Sequence, residues 1–216
     1  MIDYLLKYHD KLLKALIEHI EIVLVVILLS IIIASLLTTV SMLIERLQKY
    51  FLGIFSAIYS IPSLAFFALL IPLTGLGKFT AIIVLVLYNQ YILLGNFISG
   101  LNEVDSSVVE AATGMGMTKF QVLYKIRIPL SKSILLTGIR LAIVSTVGIA
   151  TIAACINAGG LGSILFDGLR TQNVYKILWG SILSALLALG LNGLLGFAEK
   201  KLAEPETKYH KKGIGF

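Results

Sequence analysis

Few side chains in this sequence stand where they could carry out chemistry. Glu18, His19 and Glu21 put two carboxylates beside an imidazole, but a zinc hydrolase needs a second histidine about one turn away, and His9 and His210 lie elsewhere. Gly75-Leu76-Gly77-Lys78 lacks the second-glycine spacing and the hydroxyl residue of a phosphate-cradling loop. The serines and the lone Cys155 have no histidine partner inside the apolar stretches that hold them, so nucleophilic catalysis is not expected; Cys155 reads as a small packing residue. Two patterns remain. Asn89 and Asn96 are seven residues apart and share a helix face, with Gln90 beside them. Residues 110–129, Glu-Ala-Ala-Thr-Gly-Met-Gly-Met-Thr-Lys-Phe-Gln-Val-Leu-Tyr-Lys-Ile-Arg-Ile-Pro, are an ordered, basic, glycine-broken segment in a chain that is otherwise apolar.

The elements that must position these residues follow from composition. The chain is 57% hydrophobic and 14% charged, with mean hydropathy +0.93, against roughly 25% charged residues in a soluble domain. Five windows contain no charged residue: Ile22–Ile44, Tyr50–Gly77, Phe79–Asn102, Leu141–Phe166 and Ile177–Ala198. Each exceeds the ~20 residues a helix needs to cross a bilayer. Lipid cannot satisfy backbone polar groups, and the alternation of a barrel strand is absent, so the windows read as helices. The expected fold is all-α and polytopic. Spans are expected at about 20–42, 51–72, 79–99, 133–155 and 177–197, with a cytosolic loop over 100–132 and a cytosolic tail over 199–216.

Residues 1–19 carry Ile2, Leu5, Leu6, Leu12, Leu13, Leu16 and Ile17 on one helical face, continued by Ile20, which suggests an amphipathic helix lying on the membrane surface. The mixed charge of this flank and the length of the first apolar run argue against a cleaved signal. Lysine and arginine placement sets the orientation. With the N-terminus outside, the inner segments hold Arg46, Lys49, Lys119, Lys125, Arg127, Lys132, Arg140, Lys200, Lys201, Lys208, Lys211 and Lys212, twelve basic residues against six outside. That distribution favours the N-terminus out and the C-terminus in, and it accounts for the +6 net charge without nucleic acid.

Within the loop, Ser107-Val108-Val109-Glu110 has the spacing of a capping box at a helix start. Gly114 and Gly116 should stop that helix just beyond Ala112 and Thr113. Thr118-Lys119-Phe120-Gln121 is a second capping box, opening a helix that should reach Pro129, where the ring removes a donor and displaces the preceding residue from helical geometry.

The order Glu110-Ala111-Ala112, three residues, Gly116, nine residues, Ile126, one residue, Ile128-Pro129 resembles the signature of permease subunits of ATP-binding-cassette importers; Ile128 stands where that signature has leucine. The resemblance implies a five-span type I importer core in which the short helix is a coupling helix seated in a cytosolic ATPase. Glu110, Ala111, Ala112, Thr113, Gly114, Met115 and Gly116 would then make or shape that contact. Ser60-Ile61-Pro62-Ser63-Leu64-Ala65, Gly114-Met115-Gly116-Met117 and Ala158-Gly159-Gly160-Leu161-Gly162 resemble the subgroup that imports quaternary-ammonium osmoprotectants such as glycine betaine, carnitine and choline, with methionine importers as a near relative. By the same resemblance Gly159, Gly160 and Gly162 belong to an outer gate.

Asn89, Asn96, Thr146 and Asn157 are candidates for lining a translocation pathway, with hydrogen bonding between helices as the competing reading. Pro62 is either a hinge or a fixed bend. The charge-free windows argue against an ion-coupled carrier. Tyr59, Tyr88 and Tyr91 could face a cationic ammonium, but nothing in the sequence arranges them as a cage, so selectivity is assigned to a separate binding protein. The chain is accordingly expected to be a non-enzymatic transport subunit without its own cofactor. Its expected partners are two ATP-binding subunits that hold ATP and Mg, a second permease copy or paralogue, an extracytoplasmic solute-binding protein and membrane lipid. A passive channel and a membrane scaffold are the rival classes; the first predicts uptake without an ATPase, the second ATPase binding without uptake.

Overall fold

The computed structural model describes the backbone of residues 2–210 and the side chains of residues 3–197 and of Glu199. Among the described residues every regular element is helical. Four helices are long and apolar enough to span a membrane: α1 (Ile2–Leu43), α4 (Lys78–Asn102), α8 (Lys132–Ala153) and α10 (Val174–His210). α2 (Arg46–Tyr59) and α3 (Ser63–Thr74) are apolar enough only as a pair, and they meet at 95°, the shape of a broken span or a re-entrant loop.

That split refines the expected second span over 51–72. Pro62 has φ −57° and ψ 134°, outside helical geometry, and it ends α2 instead of bending one continuous helix. Pro72, inside α3, is tolerated without a second break. The first boundary also differs. The expected division between a surface helix over 1–19 and a span from residue 20 is absent, because α1 runs through it. The one departure is Tyr8, at φ −123° and ψ 19°. Beyond that point Leu12, Ala15 and His19 are buried against neighbouring helices while Leu13 and Ile17 are exposed, so this apolar face is divided between protein and surroundings.

The core sits around α4. Its Val84, Tyr88, Leu93 and Phe97 are buried on all sides because α1 and α8 pack on it together with α2 and α3. Close approach depends on small residues. A Cβ at Gly138 of α8 would sit 2.6 Å from the Asn96 Cβ, and one at Gly100 of α4 would sit 2.8 Å from Ile134. On its outer side α1 presents Leu24, Leu28, Ile32 and Leu36, a stripe four residues apart that remains exposed. The membrane window of α10 is only 6% buried, as suits a helix facing hydrocarbon. α10 continues through the position where a tail was expected at residue 199; residues 211–216 of that tail lie outside the described residues.

Among the described residues, ion pairs join spanning helices at two places: Lys78 at the start of α4 bonds Glu21 of α1 at 3.0 Å, and a second pair joins α8 to α10. Arg140 of α8 bonds Glu199 of α10 at 3.2 Å, and Ser133 and Thr137 donate to the same carboxylate. Arg140 fell just outside the charge-free window Leu141–Phe166, so the expected span over 133–155 does carry a charge. The glutamate partner offsets that charge.

Candidate coupling segment and permeation face

The loop between α4 and α8 folds into a helix, an elbow and a second helix. The first is α5 (Ser106–Gly114), and its cap is Asp105. The Asp105 carboxylate accepts from the Ser107 N–H at 2.8 Å, and that bond holds its pKa below the ordinary carboxylate value. This corrects the expected Ser107/Glu110 box: helix formation begins at Ser106, so Ser107 already lies inside the first turn.

The elbow is a Schellman turn. The Gly116 N–H donates to Thr113 and the Met117 N–H to Ala112, at 2.9 and 3.2 Å, with Gly116 at φ +85°. Gly114, also expected to break the helix, stays helical. Of the seven candidate coupling residues, Ala112 faces inward and is buried, while Glu110, Ala111, Thr113, Gly114, Met115 and Gly116 are exposed. Met115 is 77% exposed at the tip. Among the described residues no group covers that apolar side chain.

The second helix starts as expected. Thr118 and Gln121 form a reciprocal capping box ahead of α6 (Lys119–Val122). Pro129 does not displace its neighbour, however. A π-helical turn over Leu123–Arg127 lets the Ile128 N–H reach Leu123, and Ile128 keeps φ −60° and ψ −48°. The wider turn makes room for the ring, so helix continues through α7 (Ile128–Leu130) and stops at Ser131.

This stiff arm is fastened to the end of α4. The Arg127 guanidinium donates to the Leu101 carbonyl at 2.6 Å, and Ser131 Oγ donates to Gly100 at 2.6 Å. Both satisfy carbonyls at a helix C-terminus, where a cation is also favoured by the dipole. Asn102 continues the link to Gln48 of α2, whose amide reaches Ser41 of α1. Displacement of α5 would therefore be carried to α1, α2, α4 and α8 together.

The polar candidates in the spans divide. Asn89 is 2% exposed; its amide donates to Thr146 Oγ1 at 2.8 Å and to Ser30 Oγ at 3.3 Å, joining α4 to α8 and α1. Thr146 is fully buried against it. Both hold helices together inside the subunit instead of lining an open face. Asn157 is exposed and left-handed at φ 62°, a conformation asparagine tolerates, in the turn that ends α8. Asn96 is half-buried, and its amide donates to the Ile92 carbonyl at 2.8 Å. It lines a groove of about 630 Å³ with Leu52, Gly53, Ser56, Tyr91 and Gly95. Cys155, expected as a packed residue, is exposed.

At the other end of the bundle Gly159 and Gly160 have φ of +87° and +75° and turn the chain into α9 (Leu161–Arg170). α1 clasps this bend. Glu18 accepts from the Gly160 N–H at 3.2 Å and His19 Nδ1 from the Leu161 N–H at 3.3 Å. His19 Nε2 then donates to the Val147 carbonyl of α8 at 3.2 Å, the tautomer those partners require. No spacing along the chain brings His19 to residue 161. Replacing His19 by leucine leaves a buried donor and a buried acceptor unpaired, which should cost about 1–3 kcal/mol. The expected result is a lower melting temperature of the purified protein, partly restored by His19→Gln.

Asp167 fastens the far end of α9 to α10, bonding Lys176 at 2.7 Å and Arg170 at 3.0 Å. The Lys176 hydrogen bond, followed by that of Arg170, holds the Asp167 carboxyl below its usual pKa. A carboxyl lowered on folding stabilises above its unfolded value and loses that contribution as pH falls through the folded one. Protection of 161–176 from hydrogen exchange should thus be flat from about pH 5 to 8 and weaken only below about pH 4.

Comparison with known proteins gives this geometry its context. Residues 26–205 match the family described as the inner membrane component of binding-protein-dependent transport systems. The chain belongs to that family. Among its relatives is the carnitine transport permease protein OpuCB of Listeria monocytogenes, 36% identical over 168 residues that cover 78% of this chain and 77% of that one. The choline transport system permease protein OpuBB of Bacillus subtilis is 34% identical over 185 residues, covering 86% and 85%. A solved structure of the inward-facing MetNI methionine ABC transporter superposes with TM-score 0.82 at 18% identity, over 91% of this chain and 98% of that one; it shows the shared type I fold. This chain is therefore a multi-pass membrane permease of the binding-protein-dependent family, and a transport subunit by kinship.

Proposed function

We propose that this permease imports quaternary-ammonium osmoprotectants such as glycine betaine, carnitine or choline, driven by two partner ATPases that hydrolyse ATP with Mg. The observation that supports this solute class is identity of 34% or more, over at least three quarters of the chain, to relatives named for carnitine and choline transport. Methionine is the weaker alternative, since the likeness to a methionine transporter is 18% identical and concerns the fold alone.

In this reading the N-terminus lies outside and the C-terminus in the cytosol, as the lysine and arginine placement favours. α5 then seats in an ATPase groove through Glu110, Ala111, Thr113, Gly114 and Met115. ATP binding draws the two ATPases together. Each α5 follows, and the arm through Arg127 and Ser131 converts that movement into a rigid-body tilt of the spans. A second permease, self or paralogue, completes the passage, and Gly159, Gly160 and Gly162 shape the outer gate. An extracytoplasmic binding protein delivers the cargo.

Reconstitution with the cognate ATPase and binding protein tests this directly. ATP-dependent accumulation of labelled glycine betaine, carnitine or choline is the expected result. Accumulation of methionine alone, or flux that ignores ATP, would reject the assignment.

A further inference from the structure

Tyr59, Tyr88 and Tyr91, which no sequence spacing joins into a cage, are gathered where α2 meets α3. The Tyr59 ring centroid lies 4.9 Å from that of Tyr91 and 5.6 Å from that of Tyr88, and Phe66 stacks on Tyr88 at 5.5 Å. Tyr88 is a fixed wall: it is 3% exposed and its hydroxyl donates to the Ile61 carbonyl. Tyr59 is 38% exposed, Tyr91 is half-buried, and Tyr91 lines the groove that Asn96 faces.

Two features of this cluster fit a wetted passage better than lipid. The chain turns by 95° between Tyr59 and Ser63, and non-helical backbone at membrane depth is tolerated only where protein or a water-filled cavity faces it. The groove beside it sets Ser56, the phenol of Tyr91 and Asn96, whose amide donates to the Ile92 carbonyl at 2.8 Å, among apolar Leu52 and Ile92; the phenol and the remaining polar atoms are better served by water than by hydrocarbon. No acidic or basic residue lines that groove.

A trimethylammonium group spreads its charge over methyls and has no N–H to donate. It is held by aromatic faces, and an aromatic pair without a carboxylate holds it weakly. Weak holding suits a station that must release its cargo. We propose that Tyr59 and Tyr91 form a passage subsite on which the trimethylammonium group of the solute rests as it crosses the permease. The inference depends on the solute class put forward above.

The test uses the reconstituted complete transporter and labelled glycine betaine. Tyr59→Leu and Tyr91→Leu should each lower the uptake rate about three- to tenfold, the size of one cation–π contact. Tyr59→Phe and Tyr91→Phe, which keep the ring, should stay close to the unaltered protein. Stepwise fluorination of phenylalanine at 59 or 91, which drains the ring face of negative potential with little change of shape, should slow uptake progressively; a packing role would not respond that way. Unchanged uptake in both leucine variants, or equal rates along the fluorinated series, overturns the subsite while leaving the solute class intact. If the unaltered transporter accumulates no trimethylammonium solute, the class and the subsite fall together.

Discussion

Gly116→Asp will leave the permease inserted in the membrane and cut solute uptake by tenfold or more. Gly116 holds φ +85° at the elbow after α5, and nothing lies within 4 Å of where its Cβ would be, so the substitution is not resisted by a clash. It is resisted by the backbone: a side chain in that conformation costs on the order of 1–3 kcal/mol, and about 1.4 kcal/mol is already tenfold in an equilibrium. The carboxylate adds a charge beside exposed Met115, on the face proposed to meet the ATPase, where desolvation would be unfavourable. Gly116→Ala carries the strain without the charge and should fall between the two. ATPase activity and uptake measured on the same proteoliposomes check this; uptake by Gly116→Asp equal to that of the unaltered chain would speak against the role given to α5.

The second large effect is expected at the opposite end. A methyl at Gly162 would lie 1.9 Å from the Thr151 carbonyl oxygen and 2.9 Å from the Ala154 Cβ. Both neighbours belong to the last turns of α8 and the bend that follows, and a backbone oxygen cannot rotate out of the way. Gly162→Ala must therefore push α9 from α8, against the bonds that His19 and Glu18 make to the same bend. Overpacking of this kind costs typically about 1–3 kcal/mol and more when backbone is the obstacle. A fall in the melting temperature and loss of uptake are both expected. Gly148→Ala is the control: Gly148 lies in the neighbouring α8, has nothing within 4 Å, and should gain slightly from helix propensity.

What the sequence disclosed, and what it hid, follows the range of the forces involved. The expected spans over 79–99 and 133–155 coincide with α4 and α8 to within a few residues, because lipid imposes helix and length, whereas α10 runs on well past the expected end at 197. The Thr118/Gln121 box and the glycine stop at Gly116 were readable because both are local chemistry within a few residues. The Asp105 cap was missed for a related reason: two possible starts lay two residues apart, and the sequence pattern favoured the serine. Contacts across the bundle left no such trace. Asn89 and Asn96 share a helix face by spacing, yet one is enclosed by Ser30 and Thr146 and the other opens on a groove, which only the placement of α1, α2 and α8 decides. The His19 link to Leu161 and the tyrosine cluster are long-range in the same sense. Pro129 shows a local rule overruled by local adjustment, since one π turn absorbs the ring that should have ended the helix.

The central claim is that α5 is the contact through which an ATPase moves this permease. The most direct measurement places a photo-crosslinking residue at position 115, in cells that also express the cognate ATP-binding subunit, and identifies what it captures. The account predicts a covalent adduct with that subunit, formed from the cytosolic side and absent when the probe sits at position 28, on the exposed apolar stripe of α1. Efficient crosslinking at 115 to lipid or to an extracytoplasmic protein, with no ATP-binding subunit captured, would contradict it.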